Sequence, residues 1–152
     1  MDNTTRAIHS APVYSDDSHD ESIDLTSAYD FHSAADAQAR LSGDKLCNVY
    51  SRFTNPSGAM VENKLAALEG GEAAIGVASG MAAYMAVAMT FLKQGDHVLL
   101  ASGIFGTTTH LFRQYFGQFG ISATSVTVDD YDSWQKEMRP TPQLMVVESP
   151  HH

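Results

Sequence analysis

The chain has 152 residues, 43% hydrophobic and 18% charged, with a net charge of −9. That length supports one domain with a real core, and no apolar run approaches a membrane span of about 20 residues. The acidic balance and the lack of a basic stripe disfavour nucleic acid as a partner, and the single cysteine, Cys47, excludes an internal disulfide. The opening residues lack the basic start and apolar centre of a secretory signal, so a cytoplasmic location is expected.

Residues 1–48 are polar and acidic with weak periodicity and read as an N-terminal arm. Asp16, Asp17, Asp20, Glu21 and Asp24 crowd a loop-like stretch that reads as a solvated surface. A short helix is predicted over 34–41, ended by Ser42-Gly43. Cys47 has no adjacent base and reads as a small packing residue. Turn chemistry follows at Asn55-Pro56 and Ser57-Gly58. A helix is predicted over about 59–68, with Val61, Leu65 and Leu68 on one face and Gly70-Gly71 ending it.

From there the pattern alternates. Residues 73–78 are predicted as a buried strand, then 81–92 as a helix with Met81, Met85, Ala88 and Leu92 in register. Gly95-Asp96 is a turn, and 97–101 reads as a strand buried on both faces because it does not alternate. A helix is predicted over about 107–119 with Leu111, Tyr115 and Phe119 on one face and Phe112 and Phe116 beside them. Then come a strand over 122–128, a short helix over 131–137 stopped by Pro140 and Pro142, and a last strand over 144–148. This order predicts an α/β fold: a mostly parallel sheet with helices on its faces.

Ligands of open α/β sheets sit beyond the carboxyl ends of the strands. Three stretches converge there. Ser79 is placed to cap the following helix, and Gly80, without a Cβ, lets a ligand approach the backbone. The first-turn N–H groups and the helix dipole then suit a phosphate or carboxylate. Phe105, flanked by Gly103 and Gly106, offers a ring to a planar ligand. Glu148-Ser149-Pro150 ends the last strand. Arg52 suits a phosphate, and Tyr50 would point the same way on an extended segment. Each has a plainer alternative: Phe105 as a core aromatic, Arg52 as a surface cation, Tyr50 as packing, Glu148 as a turn cap. His97 and His110 lack metal-ligand spacing. His151 and His152 carry no assigned role.

Three stretches together resemble the Cys/Met-metabolism family of pyridoxal-phosphate enzymes: Val49-Tyr-Ser-Arg-Phe-Thr-Asn-Pro-Ser57, Leu65-Ala-Ala-Leu-Glu-Gly-Gly71 and Ala78-Ser-Gly-Met-Ala-Ala83. The resemblance implies a fold-type-I large domain, of which 49–152 would be the N-terminal part, with pyridoxal 5′-phosphate as cofactor. It implies that Gly80 and Met81 donate to the cofactor phosphate and that Phe105 stacks on the pyridine. Tyr50 and Arg52 would reach the phosphate of a neighbouring subunit, giving a homo-oligomer with a dimer of active sites, usually a tetramer. Substrates would be small amino acids: an O-acyl-homoserine with sulfide or cysteine. Phe105-Gly-Thr-Thr108 is similar to the O-succinylhomoserine sulfhydrylase branch.

The family's Schiff-base lysine lies in a Ser-x-x-Lys context that Lys45, Lys64, Lys93 and Lys136 do not share. The chain by itself is therefore expected to be inactive, as the N-terminal portion of a transsulfuration enzyme. A cystathionine γ-synthase or γ-lyase portion, a phosphate-binding α/β module and a non-catalytic interaction protein remain as alternatives.

Overall fold

The computed structural model describes residues 2–10, 21–138 and 142–149. The loop expected around 14–22 falls mostly outside these residues, as do Asp16, Asp17, Asp20, Pro140, Pro150, His151 and His152. The chain divides into two compact units, Met1–Gly76 and Val77–His152.

The first unit is helical. Helix α1 (Asn3–His9) starts from Asp2, whose carboxylate accepts the Thr5 N–H at 2.7 Å, and lies against α3. Helix α2 (Ala34–Leu41) is capped by Ser33 and ends where expected. Asp36 on its first turn pairs with Arg40 at 2.8 Å and Lys45 at 2.6 Å. Helix α3 (Pro56–Glu69) begins three residues before the expected start. Asn55 caps it by accepting the Gly58 N–H at 3.1 Å, and Pro56 fits the first turn because that N–H has no helical acceptor. Gly70 ends the helix in the left-handed region at φ +67°, where a Cβ would be strained. The buried side chain of α3 is Ala66, while Val61 and Leu65 are exposed.

The expected strand over 73–78 does not form. A strand exists only where a neighbour takes its backbone groups. Among the described residues the strands pair with one another, and the Gly76 N–H donates to the Glu62 carboxylate at 2.7 Å. Ile75 is left 84% exposed.

The second unit carries the sheet. Helix α4 (Gly80–Phe91) leads through a turn at Gly95, φ +91°, into β1 (His97–Ala101). Strands β2 (Ser122–Val126) and β3 (Pro142–Val146) pair with β1 in parallel, in the order β2-β1-β3. The β1-to-β2 crossover moves one way across the sheet, and the β2-to-β3 crossover moves the other way past β1. Right-handed crossovers then put their connecting helices on opposite faces. The first connection holds α5 (Gly106–His110), and the second holds α6 (Tyr131–Glu137).

Strand β1 is central and every residue in it is buried, which explains its continuous apolar run. Val98, Leu100, Phe112, Phe116, Ile121 and Val146 form the core around it. The expected 107–119 helix is not uniform. It passes from α5 into a π-helical turn, Leu111–Tyr115, and a 3₁₀ turn, Phe116–Phe119. Of the expected face, Leu111 is buried, as are Phe112 and Phe116 beside it, while Tyr115 and Phe119 are exposed. The change of pitch breaks the regular helical spacing between them. Strand β2 stops at Val126, two residues early, because Thr127 turns the chain: its carbonyl accepts from Asp130 and from the Trp134 indole. Strand β3 starts two residues early, at Pro142, since a first strand residue need not donate to the ladder.

Candidate functional site

The site in the second unit begins with Ser79. Its hydroxyl accepts the Ala82 N–H at 3.1 Å and its carbonyl accepts the Ala83 N–H at 3.1 Å. The helix therefore starts at Gly80, one residue before the expected Met81. The N–H groups of Gly80 and Met81, in the first turn, have no acceptor within the helix. A Cβ at Gly80 would meet nothing within 4 Å, so the backbone there is open on its Cα side. The Met81 side chain packs against the core. The Tyr84 hydroxyl, one turn into α4, reaches the Glu148 carboxylate just past β3, which places the start of α4 at the carboxyl edge of the strands.

The loop after β1 reaches the same edge. The Ser102 N–H donates to the Val126 carbonyl at 2.7 Å, and Gly103 takes φ +92° to turn the chain. Ile104 drops into the core, and Phe105 stands out, 57% exposed. That exposure removes the reading of Phe105 as a core aromatic.

Glu148, just past β3, ties these elements together. One carboxylate oxygen accepts the Tyr84 hydroxyl at 2.9 Å and the Thr108 hydroxyl at 3.1 Å, and the other accepts the Phe105 N–H at 2.8 Å. Tyr84 sits one turn into α4, edge-on to Phe112 at 6.3 Å. Burial, and then the Glu148 carboxylate, push the Tyr84 phenol above its ordinary value, so it stays a donor. Composition and periodicity did not single out Tyr84 or Thr108. The available signal was Glu148 itself, an ionisable group directly after an apolar strand.

Tyr50 and Arg52 belong to the first unit. They come together, with the guanidinium 5.6 Å from the ring centroid. The means differ from expectation: residues 51–53 form a turn rather than an extended segment, and the Phe53 and Thr54 N–H groups return to the Tyr50 carbonyl. An isolated bridge from Tyr50 to Ala28 holds the turn's start. This unit also has a cleft of about 730 Å³ lined by residues including Arg40, Leu46, Cys47 and Phe53. It includes none of the expected site residues. Cys47 is exposed, not packed, because the loop after α2 leaves it in solvent.

The lysines stand where a surface role puts them. Lys45 pairs with Asp36 and Lys64 with Glu21 at 2.7 Å, while Lys93 and Lys136 are exposed.

Residues 4–152 match the family model for Cys/Met metabolism PLP-dependent enzymes. The chain belongs to that family. It is 45% identical over 132 residues to an O-succinylhomoserine sulfhydrylase of Pseudomonas aeruginosa, covering 87% of this chain and 33% of the relative. An L-methionine gamma-lyase of Fusobacterium nucleatum is 35% identical, covering 82% and 32%. Among solved structures, an assigned O-acetylhomoserine (thiol)-lyase of Campylobacter jejuni, which carries a pyridoxyl-lysine phosphate, superposes with a TM-score of 0.86. It is 33% identical, covering 95% of this chain and 36% of that one. MetB of Corynebacterium glutamicum gives 0.87 at 25% identity, covering 99% and 38%. The chain thus spans about a third of the length of the curated relatives it matches. It has the α/β fold of a PLP-dependent transsulfuration enzyme, with pyridoxal 5′-phosphate as the family's cofactor.

Proposed function

We propose that the carboxyl edge of the second unit holds pyridoxal 5′-phosphate, with the Gly80 and Met81 N–H groups on its phosphate and the Phe105 ring against its pyridine. The observation that carries this reading is the start of α4 at Gly80, whose N–H, like that of Met81, has no acceptor within the helix and whose Cα side is open. When bound, the cofactor supplies an electron sink for carbanion chemistry. The chain's own residues bind and orient: helix α4 offers its positive end to the phosphate dianion, and Phe105 offers a flat apolar surface. Tyr50 and Arg52 act as a unit towards the phosphate of a second copy's cofactor, in a homo-oligomer built on paired sites and completed as a tetramer. Residues 1–48 serve as an arm.

Within the family, the reading is the N-terminal portion of a cytoplasmic O-succinylhomoserine sulfhydrylase, which joins an activated homoserine to sulfide and yields homocysteine. Phe105-Gly-Thr-Thr108 supports it, as does 45% identity to one such enzyme against 35% to a methionine gamma-lyase. The 152 residues alone bind without turnover, because each of the four lysines is a surface residue or an ion-pair member.

Gly80→Ala tests the site. An added Cβ touches nothing in the free chain and Ala loses less backbone freedom than Gly on joining a helix, so the variant melts at or slightly above the wild-type temperature. It weakens pyridoxal 5′-phosphate binding, followed by cofactor absorbance. Equal affinity in the variant sinks the reading. Borohydride reduction and peptide mass mapping, alongside an assay with O-succinylhomoserine and sulfide, test inactivity; an adduct on one of the four lysines with turnover would overturn it.

A further inference from the structure

Glu148 is not among the residues assigned to the cofactor, yet its carboxylate accepts from Tyr84, Phe105 and Thr108. Phe105 is the residue before α5, and its own side chain cannot cap that helix. In a capping box, a Glu at the third helical position accepts the N–H of the capping residue. Here that acceptor comes from 43 residues downstream, past β3. The same carboxylate takes the Thr108 hydroxyl, itself buried at 1% exposure, and the Tyr84 hydroxyl one turn into α4. One side chain thus joins the ends of β1 and β3 to α4.

Phe105 needs such an anchor. Its ring is mostly exposed, so side-chain packing does not fix its direction. The loop that bears it is pinned on one side by the Ser102 N–H on Val126 and on the other by Glu148.

We propose that Glu148 is a positioning residue that sets the Phe105 ring against the start of α4, and so fixes the width of the slot between ring and phosphate donors. This rests on the cofactor reading above. Glu148 touches no reacting atom; it acts through Phe105, Tyr84 and Thr108.

Two measurements on the chain test it: amide hydrogen exchange at Phe105 without ligand, and the dissociation constant and induced circular dichroism of added pyridoxal 5′-phosphate. In Glu148→Ala the Phe105 N–H loses its acceptor. Its exchange speeds by about tenfold while the amides of β1 hold, binding weakens about tenfold, and the cofactor dichroism falls. Glu148→Gln restores both to within about threefold. Its amide oxygen accepts from Phe105, and its NH₂ donates to the two hydroxyls, which accept as readily as they donate. A merely structural tie would change exchange or melting and leave the dichroism alone.

Faster exchange in Glu148→Ala with wild-type affinity and dichroism overturns the positioning role and leaves the cofactor reading intact. A wild-type chain that gives no dichroism and no binding removes the cofactor reading, and the positioning role with it. Should Glu148→Ala fail to fold, Tyr84→Phe and Thr108→Val carry the test. Each removes one donor and weakens binding by about threefold, and wild-type affinity in both overturns the proposal.

Discussion

The two units are held by different forces. Among the described residues, the first buries one hydrophobic side chain, Ala66, and is tied by polar contacts: Asp36 with Arg40 and Lys45, Glu21 with Lys64, Asn55 with Gly58 and Asp24. The second buries Val98, Leu99, Leu100 and Phe112 completely. A tight core makes a rigid edge, and that edge is where Gly80 and Phe105 stand. Such polar ties offset their gain with the cost of desolvating and ordering charged side chains, whereas the second unit gains from buried apolar area, so the first unit is the weaker frame.

The sharpest way to break this contrast is Phe112→Ala, which removes a fully buried ring and is expected to cost about 3–5 kcal/mol in urea unfolding. Leu65→Ala on the exposed side of α3 is expected to change stability by no more than about 0.5 kcal/mol. Comparable losses at both positions would end the distinction. Ser79→Ala removes the α4 cap and costs about 1 kcal/mol.

Two smaller effects separate the units by pH. The hydrogen bond from Lys45, helped by the His32 N–H and by Arg40, holds the Asp36 carboxyl well below the usual carboxylate range. The unfolded chain takes up that proton near pH 3.8 and the folded chain does not. The contribution is therefore complete above that pH and lost as pH falls towards the folded value. Asp36→Asn should flatten the acid limb of stability against pH. Tyr84 works in the opposite direction. Folded, it keeps its proton past the ordinary value of 10.0, so stability falls as pH rises beyond that point. Tyr84→Phe should remove that alkaline slope, read in denaturation series at increasing pH.

Much of this architecture was legible because it rests on local chemistry. Ser79 announces a helix start with a side chain that takes a backbone N–H group, whereas the caps at Ser33 and Asn55 emerged only with the structure. Gly70 announces an end, and the unbroken apolar run of β1 announces burial on both faces. What escaped depends on partners. Residues 73–78 have strand composition, but composition supplies no neighbour to pair with. The π and 3₁₀ turns after α5 break the regular helical count, so Leu111 of the expected face is buried while Tyr115 and Phe119 are exposed. At the site, Ser79 as the cap of α4 was readable, while the start at Gly80 and the exposure of the Phe105 ring were settled only by the structure. The Glu148 junction was not, because its donors come from positions 84, 105 and 108, which no periodicity connects.

The stretch Ala73-Ala-Ile-Gly-Val-Ala78 has a practical consequence. It has no charge and no proline, and its β-prone Ile75 and Val77 face solvent. Such a segment is a ready template for strand pairing between molecules. Concentrated samples of the isolated chain will lose material to aggregates seeded there, and Ile75→Lys is the simplest way to keep it in solution.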